Sequence, residues 1–270
     1  MSNNKLIHFK STSKPELLGL IDGNITYSVL YRILQNDCKD IFTNGKSVII
    51  CYSNAPYPVW VWCKEPYDDD DINQIAECIK AHYPLREGYN VIMSHGVLKK
   101  LSECDPYFLD VSIKMELLSY QLTHLKEANH PCDGYIKIAT EADIDTISVM
   151  FKDMNYEMEG FVFDLDECKK KALNLINLKQ LFTWRNKNGE IVALTSKKIE
   201  GKYGNIASVY TAPAARRRGY AINLVHTVCK DLLACGLTPI LNTDGGYAAS
   251  NDCYKKIGFE QVGRLYNIEK

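Results

Sequence analysis

The chain has 270 residues, of which 46% are hydrophobic and 24% charged, with a formal net charge of -1; this is the profile of a globular protein long enough for two cores. Charge is balanced along it, 13 basic and 16 acidic residues over 1–132 against 19 and 17 over 133–270, so bulk electrostatics excludes a nucleic-acid or anionic-membrane surface. No apolar run has the length of a membrane span, and Met1 to Leu18 contains none suited to a signal peptide, so a cytoplasmic protein is expected.

Taken in chain order, Lys14 to Phe42 carries apolar residues at helical spacing, with a break at Gly23. Two strands follow, 47–53 and 58–64, joined by the turn residues Asn54, Pro56 and Pro58. An amphipathic helix over 71–83 opens on the run Asp68 to Asp71. Stacked acids of this kind suit the positive end of a helix better than a cation loop, which spaces its oxygens. A strand at 89–94, a short helix at 96–104 and a strand at 113–122 complete the first half. The polar segment Lys126 to Gly134 marks a boundary, giving an N-terminal domain over 1–132 and a second over 133–270.

The second half starts with a strand at 135–139 and a helix over 140–154 with Thr140 as N-cap and Asp143 at N3. A second helix covers 164–178. Strands at 180–186 and 190–199 form a hairpin around Lys187, Asn188 and Gly189. A strand at 205–211, a helix after Gly219, a strand at 238–244, a helix at 250–258 and a strand at 259–268 end the chain. This order predicts an α/β fold whose mixed sheet holds at least one parallel pair.

Ten cysteines are scattered from Cys38 to Cys253 without CxxC spacing. They read as reduced thiols, not as a zinc site or a disulfide framework. His82, His95, His124 and His130 lack ligand-like spacing, and His226 falls inside a predicted helix as a packing or surface residue. No metal is expected.

The segment Ser208 to Val225, SVYTAPAARRRGYAINLV, concentrates the chemistry. It runs from a strand through Pro213 into Arg216, Arg217, Arg218 and Gly219, then becomes helical. A helix N-terminus presents unpartnered N–H groups and partial positive charge, and the arginines add donors for phosphate oxygens, so the turn suits a diphosphate. Gly219 permits close backbone approach.

Thr211 to Ala221 resembles the pyrophosphate loop of the GCN5-related N-acetyltransferases: Arg or Gln, two residues, Gly, one residue, then Gly or Ala. Ser250 to Phe259, SNDCYKKIGF, is similar to the same family's second motif. The resemblance covers roughly Gly134 to Lys270 and implies the acyl-CoA N-acyltransferase fold there. It further implies that 206–211 splays from 240–243, with a pantetheine arm in the gap. The implied acetyl-CoA ligands are Val209, Tyr210, Thr211, Arg216, Arg217, Arg218, Gly219, Tyr220, Ala221, Asn242 and Asn251, and the implied catalytic residues are Tyr254, as proton donor to the leaving thiolate, and Asn251. Many members carry a glutamate base where this chain has Asn205, which cannot accept a proton at neutral pH. Glu157 and Glu159, read as acids of the loop between two helices, are candidate substitutes, although exposed loop acids more often have no such role.

The order of elements in the first half echoes the second. Two-part members of the superfamily, including the glycine N-acyltransferase group, carry a degenerate copy of the fold in that position. Residues 1–132 are therefore expected to be a non-catalytic lobe lacking the loop signature, able to shape the acceptor site. The expected activity is transfer of an acetyl or short acyl group from acyl-CoA to a small amine or amino acid, with no nucleic-acid or membrane partner. The alternative is a CoA-binding regulatory protein without turnover.

Overall fold

A computed structural model describes residues 5–36, 38–127, 131–160 and 162–270; His130 and the side chain of Glu159 lie outside the described residues. The chain forms two compact units that exchange segments: Met1–Ser119 with Thr243–Tyr247 and Val262–Lys270, and Tyr120–Asn242 with Ala248–Gln261.

In the first unit the strands are β1 (Ile7–Thr12), β2 (Cys38–Thr43), β3 (Val48–Tyr52), β4 (Val59–Cys63), β5 (Val91–Ser94), most of β6 (Ser112–Leu122) and, from Val262 on, the chain's last strand, which pairs antiparallel with β5. The helices are α1 (Leu18–Ile21), α2 (Ser28–Leu34), α3 (Asp69–His82) and α4 (His95–Cys104). The helical reading of Lys14 to Phe42 is corrected at its end, because Cys38–Thr43 is a strand paired antiparallel with β1 and β3. β1 has no counterpart in the sequence reading. Its residues alternate too weakly in polarity to signal a strand, and it forms by pairing with β2 from Ile7↔Thr43 to Thr12↔Cys38.

Every residue of β3 and β4 is buried, and successive side chains enter two different cores. Val48, Ile50, Val59 and Val61 join Ile75 and Ile79 of α3 and Leu101 of α4. Ile49, Cys51, Trp60 and Trp62 join Ile21, Leu30 and Leu34 of α1 and α2. Period-2 alternation between two covered faces explains the continuous apolar runs. The β4–β5 pair is parallel, as the crossover through α3 requires. Asp68 caps α3, its Oδ1 accepting the Asp70 N–H at 2.9 Å, and Asp71 is buried against Asn44. The acidic run is thus a helix start.

The second unit contains β7 (Tyr135–Ile138), α5 (Ile144–Glu159), α6 (Leu165–Asn177), β8 (Leu181–Arg185), β9 (Ile191–Glu200), β10 (Tyr203–Thr211), α7 (Tyr220–Ala234), α8 (Ala248–Ile257), most of β11 (Thr238–Asp244) and the start of β12 (Phe259–Glu269). Strands run in the order β11-β10-β9-β8-β7. The pairs are antiparallel except β10–β11, which is parallel. A capping box opens the first helical segment, the Asp143 carboxylate accepting the Thr140 N–H at 2.9 Å. α5 continues to Glu159 and ends at Gly160, which takes the left-handed conformation at φ 75°. Glu157 therefore stands on a helix, not in a loop as the sequence suggested.

Among the described residues no helix is long and apolar enough to cross a membrane, and no group of histidine, cysteine and acidic side chains is arranged to hold a metal ion. The ten cysteines are free thiols.

Candidate acyl-donor site

β10 is irregular at its middle. Its register against β9 runs from Tyr203↔Glu200 to Ala207↔Ser196 and resumes only at Tyr210↔Leu194. Ser208, inside the interruption, has φ 51°, the left-handed geometry that accompanies a bulge. Two hydroxyls seize the carbonyl that the bulge displaces: Thr195 Oγ1 and Ser196 Oγ both donate to Ala207 O at 3.1 Å.

The bulge has two consequences. Gly204 approaches α7 so closely that a Cβ would lie 2.6 Å from the Leu232 side chain, whereas Tyr210 packs in the α5–α6 core. Six residues apart on a regular strand, the two would point to the same face; the extra residue switches the facing. The parallel ladder with β11 also stops short. Its pairs run from Tyr203↔Thr238 to Ile206↔Leu241, although β10 continues to Thr211 and β11 to Asp244. Val209, Tyr210, Thr211 and Asn242 all lie beyond the last pair, in agreement with the expected divergence.

The chain then turns through Pro213–Ala215 into the arginines. Arg217 has φ 63° and Gly219 φ 82°, so two left-handed residues within three positions bend the backbone into the start of α7. Gly219 is the N-cap and no side chain caps the helix. Asn223 Nδ2 instead donates to Gly219 O at 2.9 Å, fastening the turn. The first N–H groups of α7, from Tyr220 and Ala221 onward, have no partner within the helix and no capping side chain.

The three arginines are not equivalent. Arg216 Nη2 donates to both carboxylate oxygens of Glu157, at 2.7 and 2.6 Å, and its Nε donates to Thr211 O at 3.0 Å. Tyr210 Oη donates to the same carboxylate at 2.9 Å. Burial, and then this bond to Glu157, push the Tyr210 phenol up to about 12. Arg217 and Arg218 are exposed, and among the described residues no carboxylate pairs with either. Arg218 reaches the Tyr220 hydroxyl, which itself donates to Asp133.

On α8, Asn251 and Tyr254 are one turn apart and both buried. The Tyr254 ring sits 5.9 Å from Phe259, edge to face, and 6.3 Å from Tyr120. Burial pushes the Tyr254 phenol well above its ordinary range, so at neutral pH it is a protonated phenol and not a phenolate. Asn205, buried at 3% exposure, lies within the paired part of β10 and offers no base.

The structure therefore brings the splayed strands, the left-handed turn and the α7 N-terminus into one unit. Three features escaped the sequence: the bulge at Ser208, the Glu157 partner of Arg216, and the Asp133 partner of Tyr220. The acid in the last turn of a helix ended by Gly160 was a usable sign for Glu157. Nothing local distinguished Asp133 or Ser208.

Residues 185–267 match a family model described as FR47-like protein. Among solved structures, a GCN5-related N-acetyltransferase from Sphaerobacter thermophilus is similar at TM-score 0.68 and 11% identity, with 99% of this chain and 95% of that chain covered. An acetyltransferase of the GNAT family from Colwellia psychrerythraea gives 0.64 and 17%, covering 98% and 100%. A Drosophila protein gives 0.65 and 13%, covering 94% and 95%. A sequence search of curated proteins returns no match. The chain thus has the fold of these acetyltransferases, and its residues 185–267 are similar to the FR47-like family. The likeness in fold spans nearly the whole chain, whereas the match to the family model lies in its second half.

Proposed function

We propose that the protein is an N-acyltransferase that uses acetyl-CoA or a short acyl-CoA and a small amine or amino acid, acting in a ternary complex in the cytoplasm. One observation carries this reading: an uncapped helix N-terminus behind a left-handed glycine, beside the point where a parallel ladder stops. The diphosphate would be held by the N–H groups of Gly219, Tyr220 and Ala221 with Arg217 and Arg218, and the pantetheine arm by the backbone of Val209, Tyr210 and Thr211 opposite Asn242. The donor supplies an activated thioester carbonyl and a thiolate leaving group. Tyr254 donates a proton on the thiolate side, and Asn251, one helical turn before it, orients the donor.

The buried Asn205 supports a second reading, a CoA-binding regulatory protein without turnover, because it removes a base from the strand. Incubation with acetyl-CoA and a panel of amines and amino acids, read by thiol release and mass spectrometry of the products, separates the two. Acyl transfer supports the enzyme; tight acetyl-CoA binding with no thiol release for any amine supports the regulatory protein.

A further inference from the structure

We infer that Arg216, the first residue of the loop signature, is a positioning residue that ties the loop to α5 and to the end of β10, and that it is not a ligand of the diphosphate. The inference rests on the acyl-CoA reading above and assigns the work of the loop within it.

Four contacts lead to it. The guanidinium donates through Nε to Thr211 O and through Nη2 to both oxygens of Glu157. Its carbon lies 5.4 Å from the centre of the Tyr210 ring, and Tyr210 Oη donates to the same Glu157 carboxylate. The side chain is thus folded back on the protein by a backbone carbonyl, a carboxylate and an aromatic ring at once. To bind phosphate through Nε and Nη2, it would have to surrender these charge-assisted bonds and leave Glu157 to face the incoming anion.

The charge balance agrees. Glu157 neutralises Arg216, leaving Arg217 and Arg218 without carboxylate partners among the described residues, and a diphosphate diester carries two negative charges. What Arg216 fixes is geometry. Tyr210 and Thr211 are the first β10 residues past the bulge, Glu157 sits in the last turn of α5, and Arg216 opens the loop. One guanidinium holds all three in register, so a displacement of the end of α5 reaches the loop directly.

Acetyl-CoA affinity of the full chain, measured by calorimetry for Glu157→Gln, Arg216→Ala, Arg216→Lys and the double variant Glu157→Gln/Arg216→Ala, tests the assignment. A positioning role predicts that Glu157→Gln weakens binding about tenfold, the loss of one charge-assisted bond. Arg216→Lys should fall with Arg216→Ala, since an ammonium cannot bridge Thr211 O and the carboxylate in a planar fork. The double variant should be no worse than Arg216→Ala, because both changes break the same tether. A phosphate-ligand role predicts the reverse: Glu157→Gln tightens binding by releasing the guanidinium, and Arg216→Lys keeps most of the affinity. Tighter binding by Glu157→Gln would overturn the inference while leaving the acyl-CoA reading intact. Absence of binding by the unaltered protein would overturn both.

Discussion

The hydroxyl of Tyr220, at the start of α7, donates to the carboxylate of Asp133, eighty-seven positions earlier in the chain. Asp133 also accepts the Lys187 N–H, and its carbonyl accepts the Trp184 indole N–H at 2.9 Å. Lys126 N–H donates to Ile257 O at 2.9 Å. Lys126 and Asp133, from the polar stretch that reads as a linker in sequence, are thus bonded into the second unit.

This has a direct consequence for dissection. A fragment 1–132 lacks the segments 243–247 and 262–270 that complete the first unit, and a fragment 134–270 lacks residues 120–133 of the second. Neither fragment should show a cooperative thermal transition by circular dichroism, whereas the full chain should. A sharp transition in either would show that the exchanged segments are dispensable.

Asp143 and Arg185 form a largely buried ion pair at 2.6 Å. Burial pushes the Asp143 carboxyl up, but hydrogen bonds from Arg185 and from the Thr140 N–H and hydroxyl outweigh it and hold it below the usual range. A depressed native value means stability that is full above about pH 5 and lost as pH falls through that value. Asp143→Ala leaves Arg185 buried and unpaired, at a cost of about 3 kcal/mol. Urea denaturation at pH 7 measures this; at low pH the gap between variant and parent should narrow, and a gap independent of pH would contradict the assignment.

At the loop, Gly219→Val should abolish acetyl-CoA binding while Arg217→Ala weakens it about tenfold. A β-branched residue at φ 82° is strained, and its side chain obstructs the uncapped amides, whereas loss of one exposed arginine removes a single charge-assisted bond. Calorimetry on both variants decides. Equal affinities would mean that the α7 N-terminus is not the phosphate site.

Tyr254→Phe isolates chemistry from binding. The ring stays packed against Phe259 and Tyr120, so the melting temperature and acetyl-CoA affinity should change little. Turnover should fall roughly a hundredfold, the range for loss of a general acid. Because burial keeps the phenol protonated, the parent's rate should not decline from this group's ionisation through mildly alkaline pH. Undiminished thiol release in the variant would return Tyr254 to a packing role.

Local pattern was enough for most elements. The apolar runs of β3 and β4, the capping pair Thr140 and Asp143, and the turn from Pro213 to Gly219 each act over a few residues, where backbone sterics, capping and period decide the outcome. The loop signature is equally local, since an anion site at a helix start needs only a flexible turn and the helix that follows. Tertiary structure decided the rest. β1 exists because β2 offers it a partner, Ser208 adopts φ 51° because Thr195 and Ser196 hold the carbonyl before it, and Glu157 finds Arg216 across fifty-nine positions. These are pairings between distant segments, whose energies exist only after the chain has paid the entropy of bringing them together, and no short window of sequence contains both partners.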